Sequence, residues 1–348
     1  MRRISRITVA GAATASLALA LAACGSTSTS GSSDSKGNKG LAIAYDVGGK
    51  GDQSFNDAAY AGLEQAQKEF GYETADVEPT EGETDADKEQ RLVSLAKQGY
   101  NPVIGVGYAY ASAVKGAAEK FPKTTFGIVD DATINTKNVA DLVFSEEQAS
   151  YLAGVAAAKS TKSNVVGFVG GVDIPLIHKF QAGFEQGVKD TNPKVKVLSQ
   201  YLTQTAEEGG FSSPDKGKTA AEGQIEKKAD VVYAAAGLSG QGVIEAAAAK
   251  KVWAIGVDSD QYKQAALAKY KDFILTSAMK DVAKAVYNLA KSVEDGKPET
   301  GIVRGDLKTG EVSLSDSNPK FADDAELQEA IKTAKEKIIS GEIKVKSS

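Results

Sequence analysis

From Leu41 onward, short apolar runs alternate with longer stretches in which apolar residues recur every three or four positions. The first pattern is that of buried strands, the second that of amphipathic helices. Strands are predicted over Leu41–Asp46, Val103–Val106, Thr125–Asp130 and Ala140–Phe144. A second set covers Val165–Val169, Val195–Tyr201, Asp230–Ala235, Trp253–Asp258 and Phe273–Ser277. Helices fall between them, near 56–70, 85–98, 110–120, 147–159, 176–190, 216–228, 240–250, 261–269 and 280–294, with one more over about 323–339. In the first helix Ala59, Leu63, Ala66 and Phe70 share a face. Ser54-Phe55-Asn56-Asp57 is rich in residues that cap a helix start, and Gly71 supplies a stop.

Strands alternating with helices build parallel sheets covered on both faces. The block occurs twice, with a break near 145, so the predicted fold is α/β: two Rossmann-like lobes with a ligand cleft between them. Lobe 1 is assigned 41–145 plus about 275–300, and lobe 2 is assigned 146–274 plus about 301–348. In open parallel sheets ligands sit beyond the carboxyl ends of the strands, so the residues after each strand are the candidates for chemistry.

The first forty residues follow a different pattern. Arg2, Arg3 and Arg6 precede a mostly apolar stretch from Ile7 to Ala23, which ends in small residues directly before Cys24. A basic start, an apolar core and small residues at the cut predict a secretory signal peptide over 1–23. The stretch is too short and too diluted by Thr8, Gly11, Thr14 and Ser16 for a bilayer span, which needs about 20 apolar residues. Leu21-Ala22-Ala23-Cys24 resembles a bacterial lipobox, which implies that Cys24 carries a lipid and becomes the mature first residue. Residues 25–40, GSTSTSGSSDSKGNKG, read as a flexible linker with a reach of roughly 20–24 Å. A lipid-anchored protein on the extracytoplasmic face of the cell membrane is the expectation.

Charge narrows the partners. The formal charge is −5, and residues 1–23 hold three arginines and no acids, so the remainder carries −8. That balance argues against a nucleic-acid partner, whose phosphates call for a basic face. Cys24 is the only cysteine, so the chain forms no internal disulfide.

Three predicted strands end in aspartate, at Asp46, Asp130 and Asp258. A single aspartate there is readily a cap or a turn residue. Three from both halves of the chain suggest a ligand rich in hydrogen-bond donors, neutral or cationic, because carboxylates accept such bonds and repel phosphate. Phe55 and Phe180 flank the same ends, and two aromatic faces clamping a flat base would be favourable, since stacking contributes about 1–3 kcal/mol per base. Lys280, read as lying at a helix start where the dipole disfavours it, hints at a specific partner.

Other motifs fail. Gly217-Lys218-Thr219 lacks the upstream glycine of a P-loop, since position 212 is Ser. Gly105-Val-Gly107 lacks the third glycine of a dinucleotide fingerprint. His178 is the only histidine and no Gly-x-Ser-x-Gly elbow occurs, which leaves no zinc site and no histidine-based triad. His178 is read instead as a rim or helix-start residue. A Mg²⁺ site built on the three aspartates is the metal alternative.

Ordered matches along 41–340 carry a resemblance. They are Asp46-Val-Gly-Gly, Gly51-Asp-Gln-Ser-Phe-Asn-Asp57, Val103-Ile-Gly-Val-Gly107, Phe144-Ser-Glu-Glu-Gln-Ala-Ser-Tyr-Leu-Ala-Gly154 and Val166-Gly-Phe-Val-Gly-Gly171. The second half adds Phe180-Gln-Ala-Gly-Phe-Glu-Gln-Gly187, Ala235-Ala-Gly-Leu-Ser-Gly-Gln-Gly242, Ala254-Ile-Gly-Val-Asp-Ser-Asp-Gln261 and Thr276-Ser-Ala-Met-Lys280. The chain resembles the basic membrane protein family of bacterial lipoproteins, which are similar to type I periplasmic binding proteins and include purine-nucleoside receptors of ABC transporters. The resemblance implies that Phe55 and Phe180 sandwich a nucleobase and that Asn56 and Asp130 read its polar edge. It implies that Asp258 and Lys280 hold ribose hydroxyls, that Gly237 offers backbone groups, that Asp46 lines the pocket, and that Ser54 belongs to the same ligand-binding set. It further implies a nucleoside ligand, an ABC permease partner, no cofactor and no catalysis. The competing readings are a sugar-binding or signal-binding protein of the same fold and, further off, a nucleoside-cleaving or metal-dependent enzyme.

Overall fold

The computed structural model describes residues 38–348. The predicted leader, Cys24 and nearly all of the linker lie outside the described residues. The strands are β1 (Ala42–Ala44), β2 (Ala75–Val77), β3 (Val103–Gly105), β4 (Phe126–Val129), β5 (Val139–Phe144), β6 (Val165–Val172), β7 (Lys196–Thr203), β8 (Val231–Ala235), β9 (Trp253–Asp258), β10 (Ile274–Lys280), β11 (Gly301–Gly305) and β12 (Val312–Leu314). The helices are α1 (Phe55–Phe70), α2 (Asp85–Gln98), α3 (Ala111–Lys120), α4 (Glu146–Ser160), α5 (Pro175–Thr191), α6 (Pro214–Glu226), α7 (Gly240–Lys250), α8 (Val282–Glu294), α9 (Pro319–Ala322) and α10 (Ala325–Ile339).

They assemble into two six-stranded sheets, in the orders β11-β5-β4-β3-β1-β2 and β12-β10-β9-β8-β6-β7. All pairings in the first sheet are parallel; in the second only β12 runs antiparallel. In each sheet the first strand of its half, β1 or β6, lies between the next two strands of that half. Such a reversal of strand order opens a crevice at the carboxyl ends, and the two crevices supply the site described below.

The central strands are buried on both faces, as at β4 and β5, which is why they read as continuous apolar runs. One apolar cluster, from Leu41 to Ile338, draws on both sheets. Separate clusters pack the outer face of sheet 1, around Ile128 and Val114, and of sheet 2, around Val232 and Val243.

The chain exchanges between lobes differently from the sequence-based assignment. β10 pairs with β9, so lobe 2 keeps the chain through Lys280 and not merely to 274. β11 pairs with β5, which returns 301–305 to lobe 1; β12 then pairs with β10 in lobe 2. The chain therefore crosses between lobes three times: at Ser145, near Asp281, and between Gly305 and Val312. The helix predicted over 261–269 is absent. A single 3₁₀ turn at Ala265–Leu267 stands there, and a second follows at Lys271–Phe273. Short β2, β11 and β12 carry too few apolar positions to show a period of their own. Among the described residues no helix is long and apolar enough to cross a membrane.

Candidate ligand-binding site

The carboxyl ends of β1, β3, β4, β6, β8, β9 and β10 converge on one cavity with about 530 Å³ of atom-free space, its mouth included. Asp46, Phe55, Asn56 and Asp130 reach it from lobe 1; Phe180, Gly237, Asp258 and Lys280 reach it from lobe 2. Ser54 is the one predicted site residue that does not line it. It is fully buried behind the wall, and its Oγ donates to Asp258 Oδ2 at 2.8 Å and lies 3.3 Å from the Val257 carbonyl.

Ser54 is free to do this because it does not cap α1 with its side chain. Asp52 caps instead. Its Oδ1 accepts the backbone N–H of Ser54 at 2.8 Å and of Asp57 at 3.2 Å, while Oδ2 accepts the N–H of Asn56 at 2.8 Å. Burial still pushes the Asp52 carboxyl up to about 6. Asn56 is held just as firmly. Its Oδ1 accepts the Asp46 N–H at 3.0 Å and its Nδ2 donates to Asp52 Oδ2 at 3.2 Å. An amide nitrogen carries two hydrogens, so one remains for a ligand.

Lys280 is the last residue of β10, not the first of a helix, so the helix dipole does not act on it as the sequence suggested. Its Nζ donates to Asp130 Oδ2 at 2.6 Å and stands 3.7 Å from Asp258 Oδ1. All three side chains are at most 8% exposed. The ammonium also lies 4.6 Å from the Phe55 ring centre and 5.5 Å from that of Phe180. The two rings, from opposite lobes, are thus brought to one place. Phe184, one turn on, points away into the core against Phe168 and Tyr233.

Burial alone would lower Lys280, but Asp130, Asp258 and Glu146 outweigh it and hold the group well above its ordinary value, so it remains an ammonium. Burial pushes Asp258 up, with Lys280 and Ser54 opposing. Burial carries Asp46 up to about 7. Glu146, at the start of α4, also rises to about 7, through burial first and then Asp130; its Oε2 accepts from Lys179 Nζ at 3.2 Å. Asp130 Oδ1, Asp258 Oδ1 and Glu146 Oε1 are buried without hydrogen-bond partners. Asp130 and Asp258 both hold left-handed backbone, at φ 69° and 62°. Strain of this kind concentrates at functional sites and costs on the order of 1–3 kcal/mol per residue.

The ammonium occupies the place between Asp130 and Asp258 that a divalent ion would need, and among the described residues no three His, Cys, Asp or Glu side chains group to hold a metal. His178 lies in the first turn of α5 with Nε2 2.6 Å from Asp173 Oδ1, outside the cavity wall. Tyr108, Leu176, Ile177 and Phe211 are the largest of the other side chains in that wall, which Asp52 also joins. Tyr108 lies two residues beyond a predicted strand and was open to detection by position. Phe211 sits in an aperiodic loop, where no local signal marks it.

Two doubly wound lobes that contribute to one cavity at their strand ends define the type I periplasmic binding fold. A family model described as ABC transporter substrate-binding protein PnrA-like matches residues 40–348. The chain is 37% identical over 323 residues to the ABC transporter nucleoside-binding protein BmpA of Lactococcus lactis subsp. cremoris, covering 88% of each chain. It is 31% identical over 310 residues to basic membrane protein A of Borreliella burgdorferi, covering 85% of each. A crystal structure of an ABC transporter solute-binding protein from Aeropyrum pernix superposes with a TM-score of 0.76 at 28% identity, over 88% of this chain and 93% of the other. The chain belongs to the Bmp family of PnrA-like ABC transporter substrate-binding proteins.

Proposed function

We propose that the protein captures nucleosides, purine nucleosides first among them, at the outer face of the membrane and passes them to an ABC permease. The observation that carries this reading is the pair Phe55 and Phe180, drawn from opposite lobes to within 5.5 Å of one ammonium that two buried carboxylates hold. Aromatic faces suit a flat base, at about 1–3 kcal/mol per stacked base. The unpaired oxygens of Asp130 and Asp258 call for donors, which ribose hydroxyls and ring N–H groups provide. An anionic ligand would meet Asp46, Asp52, Asp130 and Asp258 along the cavity wall with only Lys280 against them. In this reading Asp258 and Lys280 hold the ribose, Asp130 and Asn56 meet the base edge, Gly237 offers its backbone, and Asp46 closes the pocket. Hinge closure of the lobes brings these groups together and no bond is made or broken. Similarity to a relative described as nucleoside-binding supports the assignment.

Calorimetry with inosine, guanosine, adenosine, uridine, free bases, ribose and arabinose tests it. Nucleosides should bind and free sugars should not. Binding of a sugar alone would favour the sugar-receptor reading, and release of free base from a nucleoside would favour an enzyme. Asp258→Ala should weaken nucleosides about 10- to 100-fold, since a hydrogen bond to a charged group contributes about 1.5–3 kcal/mol; unchanged affinity removes Asp258 from the site. Membrane attachment through a lipid on Cys24 belongs to the same reading. Cys24→Ala should release the protein from the membrane fraction.

A further inference from the structure

Three side chains of lobe 2 donate across the cleft to a single four-residue segment of lobe 1. Gln241 Nε2, on α7, reaches the Gly51 carbonyl at 3.2 Å. Gln261 Nε2, just beyond β9, reaches the Gln53 carbonyl at 3.1 Å. Ser259 Oγ reaches the Ser54 carbonyl at 2.7 Å. None of the three lines the ligand cavity.

Gln261 on one side and the carbonyl segment on the other are each set by their own lobe. Gln261 is 1% exposed; its Oε1 accepts the Val257 N–H at 3.0 Å and its own N–H donates to Ser277 Oγ at 3.2 Å. A Cβ on Gly256 would stand 2.4 Å from Gln261 Oε1, so a larger residue there would displace the amide. On the other side, Asp57 accepts the N–H groups of Gly51 at 2.7 Å and Gln53 at 3.0 Å, and Asp52 accepts that of Ser54 at 2.8 Å. The carbonyls of this segment therefore face lobe 2 in a fixed array. Donors and acceptors already held in place lose little freedom when they meet.

We propose that Gln241, Ser259 and Gln261 form a latch that sets ligand affinity by favouring the closed arrangement of the lobes, without touching the ligand. The proposal rests on the ligand entering between the lobes, not on the ligand being a nucleoside. A protein whose competent state is only partly populated binds more weakly in proportion to that fraction. The latch raises the fraction before any ligand arrives, equally for every ligand.

The test uses the full chain with Cys24→Ser, so that dyes on Glu81→Cys and Glu207→Cys, exposed in the loops after β2 and β7, are the only thiol labels. Energy transfer between the dyes reads lobe separation in the ligand-free protein. Gln241→Ala with Ser259→Ala should lower the transfer. Affinity for inosine, adenosine and uridine should fall by one common factor, about three- to tenfold for each hydrogen bond lost, with their ranking unchanged. Ser259→Thr keeps the hydroxyl and should restore both readings toward wild type. Unchanged transfer in the ligand-free double variant overturns the latch, and so does an affinity loss that differs from one nucleoside to the next. If wild type binds no nucleoside, the functional reading fails, while the transfer comparison still decides the latch.

Discussion

At the scale of single residues, the site gathers more acid than base. Asp46 and Glu146 are raised by burial from 3.8 and 4.5 to about 7 each. A carboxyl raised in this way holds its proton more tightly folded than unfolded. Between the unfolded value and the folded one, the native state binds more protons, so stability falls as pH rises from about 4 to about 7. One pKa unit corresponds to about 1.4 kcal/mol, which would give roughly 4 kcal/mol for a fully enclosed Asp46. Asp46 opens onto the cavity, and we expect about 1–2 kcal/mol from it. Urea unfolding at pH 5 and pH 7.5 should therefore show wild type losing stability toward the higher pH, and Asp46→Asn losing less. An identical pH dependence in the two proteins would place the Asp46 titration near its ordinary value. Ligand binding should couple to the same proton, because a donor offered to Asp46 bonds more strongly to its charged form.

At the scale of elements, the placement of Phe180 depends on how closely two helices pack. On α5, a Cβ at Gly183 would stand 2.1 Å from the Glu147 carbonyl of α4, and one at Gly187 would stand 2.1 Å from that of Tyr151. On α4, a Cβ at Gly154 would stand 2.3 Å from the Phe184 carbonyl. Backbone therefore meets backbone along the whole crossing, and α5 cannot admit a methyl group without moving. Gly183→Ala should destabilise lobe 2 by about 1–3 kcal/mol, the usual cost of overpacking, and shift Phe180 with the helix. A drop in the urea midpoint together with weaker nucleoside binding would show both effects; normal stability would show that the helices separate freely. This crossing also shows what the sequence revealed and what it hid. The periods of α1, α2, α5 and α7 were legible because one face of each is apolar, and the strand ends at Asp46, Asp130 and Asp258 followed from them. The glycines of α4 and α5 were visible as letters, but their partners lie 30 to 36 positions away in the chain, beyond any local pattern. The same distance hid the role of Ser54, whose acceptor at Asp258 is 204 residues on. The misplaced helix at 261–269 had helical spacing, but that segment turns back to fasten Gln261 and Asp260, and tertiary hydrogen bonds outweigh propensity there.

At the scale of the molecule, three chain crossings join two lobes whose facing ends carry the binding groups. Asp130 lies in one lobe and Lys280 in the other, yet they share a 2.6 Å hydrogen bond inside a shared cavity. Opening the cleft exposes both charges to water, and closing it around an ill-matched guest would leave Asp130 Oδ1 and Asp258 Oδ1 buried without donors. Each such atom costs about 1–3 kcal/mol, more when charged, so closure discriminates by what the guest supplies. A guest that satisfies them stabilises the closed, folded chain and gains nothing from the unfolded one. At a hundredfold excess over its Kd it should add about 2.7 kcal/mol to stability. For a chain of this length that is a rise of about 4 °C in Tm. The rise should be shared by both lobes, because the ligand bonds to each; a scan in which only one of two transitions moves would mean that the ligand sits on a single lobe and that the cleft stays open around it. Phe180→Ala keeps every hydrogen bond and removes one stacking face, so it should reduce the shift for ribosides and free base alike, whereas Asp258→Ala, which weakens ribosides about 10- to 100-fold, should cut their shift to about half or less and leave any response to free base in place.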